Sequence, residues 1–269
     1  MTAKANAKSG GSIGLPLVLG VKRRLSRRND PREEKARAEF ERQRPGVLNR
    51  DNWTCRGCGF ASVKTNRAPA GGMEVHHIDD DHHNNLPDNL ATLCPFCHMT
   101  FTLGRRGYRF DADLIYAPAI NQWELNLLHH LIWGLERSVS LMEKGDPAAE
   151  GWRKAGLPDG FTAGLKKASE SLQRVHYAGQ TRLESQMSGV LPNIENMETV
   201  YGALQNLPPA DYAKRDQIMA PLRLMPVFER FEASIDLWAR HVWLAFYPPN
   251  HWADLVTSIQ DIEKKARKG

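Results

Sequence analysis

From Asn121 onward, apolar side chains recur at the three- and four-residue spacing of a helix with one buried face. Leu125, Leu128, Leu131, Ile132 and Leu135 form the first stripe. Asn121 followed three residues later by Glu124 reads as its capping box, and Gly145 and Pro147 read as its stop. A second stripe runs through Leu165, Ala168, Leu172 and Val175, and a third through Ile194, Met197, Val200, Tyr201 and Leu204. A fourth runs through Val227, Phe228, Phe231, Ile235, Trp238 and Val242, and the last through Trp252, Leu255, Val256, Ile259 and Ile262. Pro208-Pro209 and Pro248-Pro249 punctuate them. Five such helices can bury a shared core, with helical character from Leu114 onward. The tryptophans and phenylalanines of this half fall on helical faces and read as core. His129, His130 and His241 lie inside the same helices and read as structural or exposed residues.

The first part of the chain has a different texture. Residues 1–12, rich in Lys, Ser, Gly and Ala, carry the composition of a disordered segment. The longest apolar run, Ile13 to Val21, is broken by Gly14, Pro16 and Gly20 and is too short to span a bilayer. The basic run Lys22-Arg23-Arg24 follows it without a small-residue cleavage site, so it does not read as a signal peptide. An edge strand or an arm is expected there, with no membrane insertion and a cytoplasmic protein. Residues 31–43 read as a short charged helix ending before Pro45-Gly46. Strand candidates between residues 47 and 110 are short, and the stretch Ala61–Gly72 is polar and loop-like. The expected class is α+β, divided into a basic N-terminal arm (1–46), a compact module (47–110) and a mainly α-helical C-terminal region (111–269).

Composition is ordinary for a soluble protein of 269 residues, with 41% hydrophobic and 25% charged positions. Its net charge of +5 is unevenly spread. Residues 1–50 hold thirteen Lys and Arg against five Asp and Glu, whereas residues 51–110 hold six of each. A basic arm suits a phosphate backbone, which makes Arg23, Arg24, Arg27 and Arg28 candidate DNA contacts. A solvated linker helix is the other reading, since Glu33, Glu34, Glu39 and Glu41 interleave later in the run.

The chemistry concentrates in one window. All four cysteines fall in two C-x-x-C pairs, Cys55/Cys58 and Cys94/Cys97. In a reducing compartment such pairs point to metal rather than disulfides, and four thiolates can surround a zinc ion tetrahedrally. The string Cys94-Pro-Phe-Cys97-His98 also fits a c-type haem attachment site, but that reading leaves Cys55 and Cys58 without a role. Between the pairs stand Glu74-Val75-His76-His77-Ile78-Asp79, Asn84-Asn85 and Asn89-Leu90. Adjacent strand residues point to opposite faces, so either the strand ends at the histidine pair or the two histidines do different jobs.

Those residues resemble the HNH endonucleases in order, spacing and type across about residues 47–103. The resemblance implies a ββα-metal module in its four-cysteine zinc variant, acting on phosphodiester bonds in DNA. It implies that His77 is the general base, that His76 and His98 hold a catalytic Mg, Mn or other divalent cation, and that Asn89 holds the ribbon loop. It further implies that Cys55, Cys58, Cys94 and Cys97 bind structural zinc. Many members carry another histidine four residues after the last one; here that position is Thr102.

A second likeness reaches further. The segment Leu114–Leu128 and the later Leu222-Arg-Leu-Met-Pro226, in this order around the cysteine module, resemble the IcmJ/DotN family. Those proteins are zinc-containing partners of the coupling ATPase in type IVB secretion and conjugation systems. The likeness implies that ATPase and other secretion-complex subunits as partners. Members of that family can lack the catalytic histidines and act as adaptors, which is the alternative here. This chain keeps His76, His77, Asn89 and His98, which weakens it, so the expected function is a metal-dependent endonuclease linked to such a coupling complex.

Overall fold

In the computed structural model, which describes residues 14–21, 31–103, 111–187 and 197–246, helix α1 spans Pro31–Arg50. It therefore runs through Pro45, past the end expected at residue 43. Proline removes a donor and normally stops a helix, but the last turn is anchored from outside. Val47 and Leu48 are buried. Arg50 donates from Nη1 to the Pro87 carbonyl and from Nη2 to the Leu90 carbonyl, both at 2.7 Å. The Thr92 N–H donates to Asp51 Oδ2 at 2.9 Å. Tertiary anchoring outweighs local propensity here.

That anchor is a short ribbon. Strand β1 (Glu74–His77) pairs antiparallel with β2 (Leu90–Leu93), His76 opposite Ala91 and His77 opposite Leu90. A single helical turn, α2 (Pro95–His98), follows directly, with Pro95 in its first turn and Cys94 as its N-cap. The arm before α1 lies against this unit in extended form. Gly20 donates to the Thr100 carbonyl at 2.8 Å, Leu103 donates to the Gly20 carbonyl at 3.0 Å, and Val21 bridges Leu103. The apolar run Leu15–Val21 is thus an arm pinned to the module.

The second half holds a strand pair that its helical character hid. Ala112–Tyr116 forms β3, not the start of a helix, and pairs antiparallel with β4 (Leu222–Pro226), Leu114 opposite Leu224. Helix α3 (Gln122–Glu143) opens on the expected capping box, the Asn121 N–H donating to Glu124 Oε2 at 2.8 Å. Its stripe Leu125, Leu128, Ile132 and Leu135 is buried, and Gly145 beyond its end adopts φ +73°. Short α4 (Glu150–Ala155) leads into α5 (Phe161–Met187). Helices α6 (Met197–Asn206), α7 (Pro209–Tyr212) and α8 (Arg215–Ile218) precede β4. Helix α9 (Phe228–Trp238) widens into a π-helical turn, Ala239–Trp243, before α10 (Leu244–Phe246). The expected helix around Trp252–Ile262 lies outside the described residues.

The protein is α+β, with two small two-stranded sheets among helices in the described residues. Its buried apolar residues form one continuous cluster, from Leu19 and Phe60 through Phe96 and Leu125 to Trp238 and Trp243. No described helix is long and apolar enough to cross a membrane.

Candidate functional site

Cys55, Cys58, Cys94 and Cys97 meet at the bottom of the module, each at most 1% exposed. Their sulfurs all lie within 4.8 Å of one another, the one group of this kind among the described residues. A zinc–sulfur bond of about 2.3 Å gives a tetrahedron whose edges are roughly 3.8 Å; Cys58 Sγ and Cys94 Sγ are 3.7 Å apart. Backbone groups of each knuckle already point at sulfur. Gly57 and Cys58 donate to Cys55 Sγ at 3.4 and 3.5 Å, and Cys97 donates to Cys94 Sγ at 3.4 Å. Burial and the neighbouring thiols push the Cys94 and Cys97 thiols well up. Burial opposes ionisation of Cys55 as well, but hydrogen bonds from the other three cysteines bring it well down. Four cysteine sulfurs crowded in an apolar interior can all ionise only with a cation to balance them, and zinc fits this sulfur set.

Gly57, which the motif passes over as an unnamed x, is part of the fit. A Cβ built on it would stand 2.9 Å from both Cys97 Sγ and Leu17 Cδ2. Gly57→Ala should therefore spread the sulfur set, at a cost of about 1–3 kcal/mol for an overpacked site. Chelator competition is expected to read a weaker zinc affinity. An affinity equal to wild type would contradict this account of the knuckle.

The histidine pair divides between the two faces of the ribbon. Glu74 and His76, two residues apart, share one face with His98. The rings of His76 and His98 meet edge-on at 5.4 Å, the Glu74 carboxylate lies against His98 Nδ1, and Phe101 stacks on His76 at 4.4 Å. His98 is placed by Cys94, whose carbonyl accepts its N–H at 2.9 Å, so the cysteine knuckle sets its position. Thr102, in place of a further ligand, is buried and donates its hydroxyl to the His98 carbonyl at 3.3 Å.

His77, the last residue of β1, faces helix α1 instead. Phe40 stacks on one side of its ring at 5.0 Å and His82 packs at 4.8 Å. Asn85 completes the arrangement. Its Nδ2 donates to the Ala36 carbonyl at 2.9 Å, which turns its Oδ1 toward His77 Nε2, also 2.9 Å away. In neutral His77 the proton is therefore assigned to Nε2 and the lone pair to Nδ1. The pair Asn84-Asn85 is visible in the motif, but nothing in its spacing points to a direct tie between Asn85 and the histidine.

Asn89 sits where the loop from β1 returns. It donates from Nδ2 to Asp79 Oδ1 and to the Asn84 carbonyl, both at 2.8 Å, and accepts from the Asp79 N–H at 3.1 Å. The Ile78 N–H donates to its carbonyl at 2.8 Å. Burial opposes ionisation of Asp79, but hydrogen bonds from Asp81, Asn84 and Asn89 hold its carboxyl below the usual range. The run Asp79–His83 is thus a hydrogen-bonded turn. Arg23, Arg24, Arg27 and Arg28 lie outside the described residues.

Helix α3 packs against both knuckles and adds a contact that the motif does not contain, from Asn126. His130 is 1% exposed and stacks between the aromatic residues of the two knuckles, Phe60 at 3.9 Å and Phe96 at 4.3 Å. Burial pushes His129 down to about 4 and His130 to about 3, so both are neutral core residues at pH 7. One turn earlier, Asn126 donates to the Phe96 carbonyl at 3.1 Å and to Cys97 Sγ at 3.2 Å.

No family model matches the chain. Two curated proteins do, each in part. The type 4 apparatus protein DotN of Legionella pneumophila is 33% identical over 97 residues, 35% of this chain and 42% of that protein. The H-N-H endonuclease F-TflIV of Escherichia phage T5 is 46% identical over 44 residues, 16% of this chain and 18% of that protein. The chain thus spans less than half the length of these relatives. It is similar, over part of its length, both to a type 4 apparatus protein and to an H-N-H endonuclease, the two likenesses its motif carries.

Proposed function

We propose that this chain is a zinc-stapled adaptor subunit of a type IV secretion or conjugation apparatus, built on an HNH scaffold that no longer cleaves. The closure of His77 carries the reading. A general base must present a bare nitrogen to water beside the metal. His77 is 6% exposed, flanked by Phe40 and His82, and turned to the ribbon face away from His76 and His98. The longer of the two likenesses, to DotN, supports the same reading. The cysteines hold zinc, and the helical half offers surface for partner subunits, the coupling ATPase first among them.

Cleavage of DNA is the second reading, favoured by a different observation. Asn85 fixes the His77 tautomer so that Nδ1 is the base, while on the other face the His76 and His98 rings meet at 5.4 Å and the Glu74 carboxylate lies against His98. In that case His76 and His98 bind Mg or Mn, Asn89 holds the loop, and the basic arm with Arg23, Arg24, Arg27 and Arg28 meets the DNA backbone.

One pair of measurements separates them. Zinc-loaded protein with Mg²⁺ or Mn²⁺ is expected to leave supercoiled plasmid intact, and the tail of the coupling ATPase is expected to capture it in a pull-down. Metal-dependent nicking that disappears in His77→Ala would replace the adaptor with the nuclease. A pull-down that recovers nothing would count against the adaptor.

A further inference from the structure

A zinc ion with four thiolates carries two negative charges, and this one would sit among residues at most 1% exposed. A buried charge of that kind needs donors. Those to Cys55 and Cys94 come from the knuckles' own backbone. Cys97 receives one from another part of the chain, the Asn126 side chain of helix α3.

The direction of that amide is determined by a chain of partners. At β4, the Leu224 N–H donates to Gln122 Oε1 at 2.8 Å, and Gln122 Nε2 donates to the Leu224 carbonyl at 2.8 Å. A backbone donor and acceptor on one residue allow only this orientation of Gln122. Its Nε2 then also donates to Asn126 Oδ1 at 2.9 Å. Asn126 Oδ1 is thereby spoken for, and its Nδ2 must face Phe96 and Cys97. All of this is shielded from water, with Gln122 at 5% and Asn126 at 0% exposure.

We propose that Asn126 is a positioning residue of the zinc centre, donating its side-chain N–H to the Cys97 thiolate, and that Gln122, itself held by the β4 backbone, orients it. A hydrogen bond to a thiolate is charge-assisted and stabilises the ionised sulfur that the metal requires. The zinc centre is then wired through two amides to the second sheet. The proposal rests on the zinc reading and is independent of whether the chain is an adaptor or a nuclease.

The test uses the full chain labelled with ¹⁵N and loaded with ¹¹³Cd in place of zinc. A scalar coupling between the cadmium nucleus and one Asn126 side-chain amide proton is expected, because coupling passes through an N–H···S–metal bridge. Cadmium bound by four thiolates without that coupling would overturn the role of Asn126. Failure to bind cadmium or zinc would overturn the zinc reading and this proposal with it. In variants that fold, Asn126→Ala is expected to weaken zinc binding by about 10- to 100-fold in chelator competition. With cobalt in the site, the same variant should move the sulfur-to-metal charge-transfer band to lower energy. Gln122→Ala, which touches no sulfur, should move both in the same direction by less. A folded Asn126→Ala protein with unchanged affinity and band also overturns the proposal.

Discussion

Removing the zinc, or replacing Cys94 with serine, is expected to unfold the module and loosen the helical region packed on it. Structural zinc sites of this type contribute about 10–16 kcal/mol of apparent binding free energy in small zinc-finger peptides at neutral pH. A typical domain has only about 5–15 kcal/mol of stability in total. Loss of Cys94 would remove more than a sulfur. This residue follows β2 directly, caps the turn that carries His98, and accepts the Cys97 N–H. The regular structure around it is small, a ribbon of four residues per strand and a single helical turn. Phe96, Phe60 and His130 then transmit the loss to α3. Urea unfolding of zinc-loaded, chelator-treated and Cys94→Ser protein, with zinc content measured on each, is the check. The expected result is loss of the cooperative transition in the last two. A metal-free chain with the wild-type midpoint would show that the cysteines do not hold a structural metal.

Parts of this architecture were legible in the residues. The cysteine pairs converge because C-x-x-C is a self-contained knuckle, and the Asn121–Glu124 box and the stripe behind it form because both are local. What escaped was set at a distance. Ala112–Tyr116 is too short to declare itself a strand, and its partner β4 arrives only at Leu222. Pro45 and Gly46 read as a stop, yet Arg50 and Asp51 hold the last turn of α1 through the Pro87, Leu90 and Thr92 backbone. Gln122 and Asn126 look like ordinary polar positions of an amphipathic helix; their partners are a strand backbone and a cysteine sulfur. For the histidine pair the residues allow a strand end or two separate jobs. His77 does end β1, and its ring and that of His76 have different neighbours. A period-two pattern can say that adjacent side chains diverge, but not that α1 will cover one of them.

Trp238→Ala is expected to be the most damaging single substitution away from the cysteines. The indole is 1% exposed at the end of α9 and reaches across to the module. It packs against Phe60 at 5.1 Å, Phe96 at 5.7 Å and His130 at 4.6 Å, and so touches the aromatic residue of each knuckle. Its Nε1 donates to the Gly71 carbonyl at 3.0 Å, closing the loop between the cysteine pairs onto the helical half. Gly71 and Gly72 take φ of +62° and +71° to make that approach, and a Cβ on Gly72 would stand 3.0 Å from the same Nε1. Truncating a tryptophan in such a core costs about 3–5 kcal/mol. Trp238→Phe keeps a ring in the cavity but loses the donor, and should fall between alanine and wild type; one hydrogen bond contributes on the order of 1 kcal/mol of its deficit. Urea midpoints of the three zinc-loaded proteins test the ordering. Because the contacts join both knuckles to α9, Trp238→Ala should also release zinc to a chelator faster than wild type. A Trp238→Ala protein within about 1 kcal/mol of wild type, or one that unfolds earlier while holding zinc as tightly as before, would mean that module and helices do not share one core.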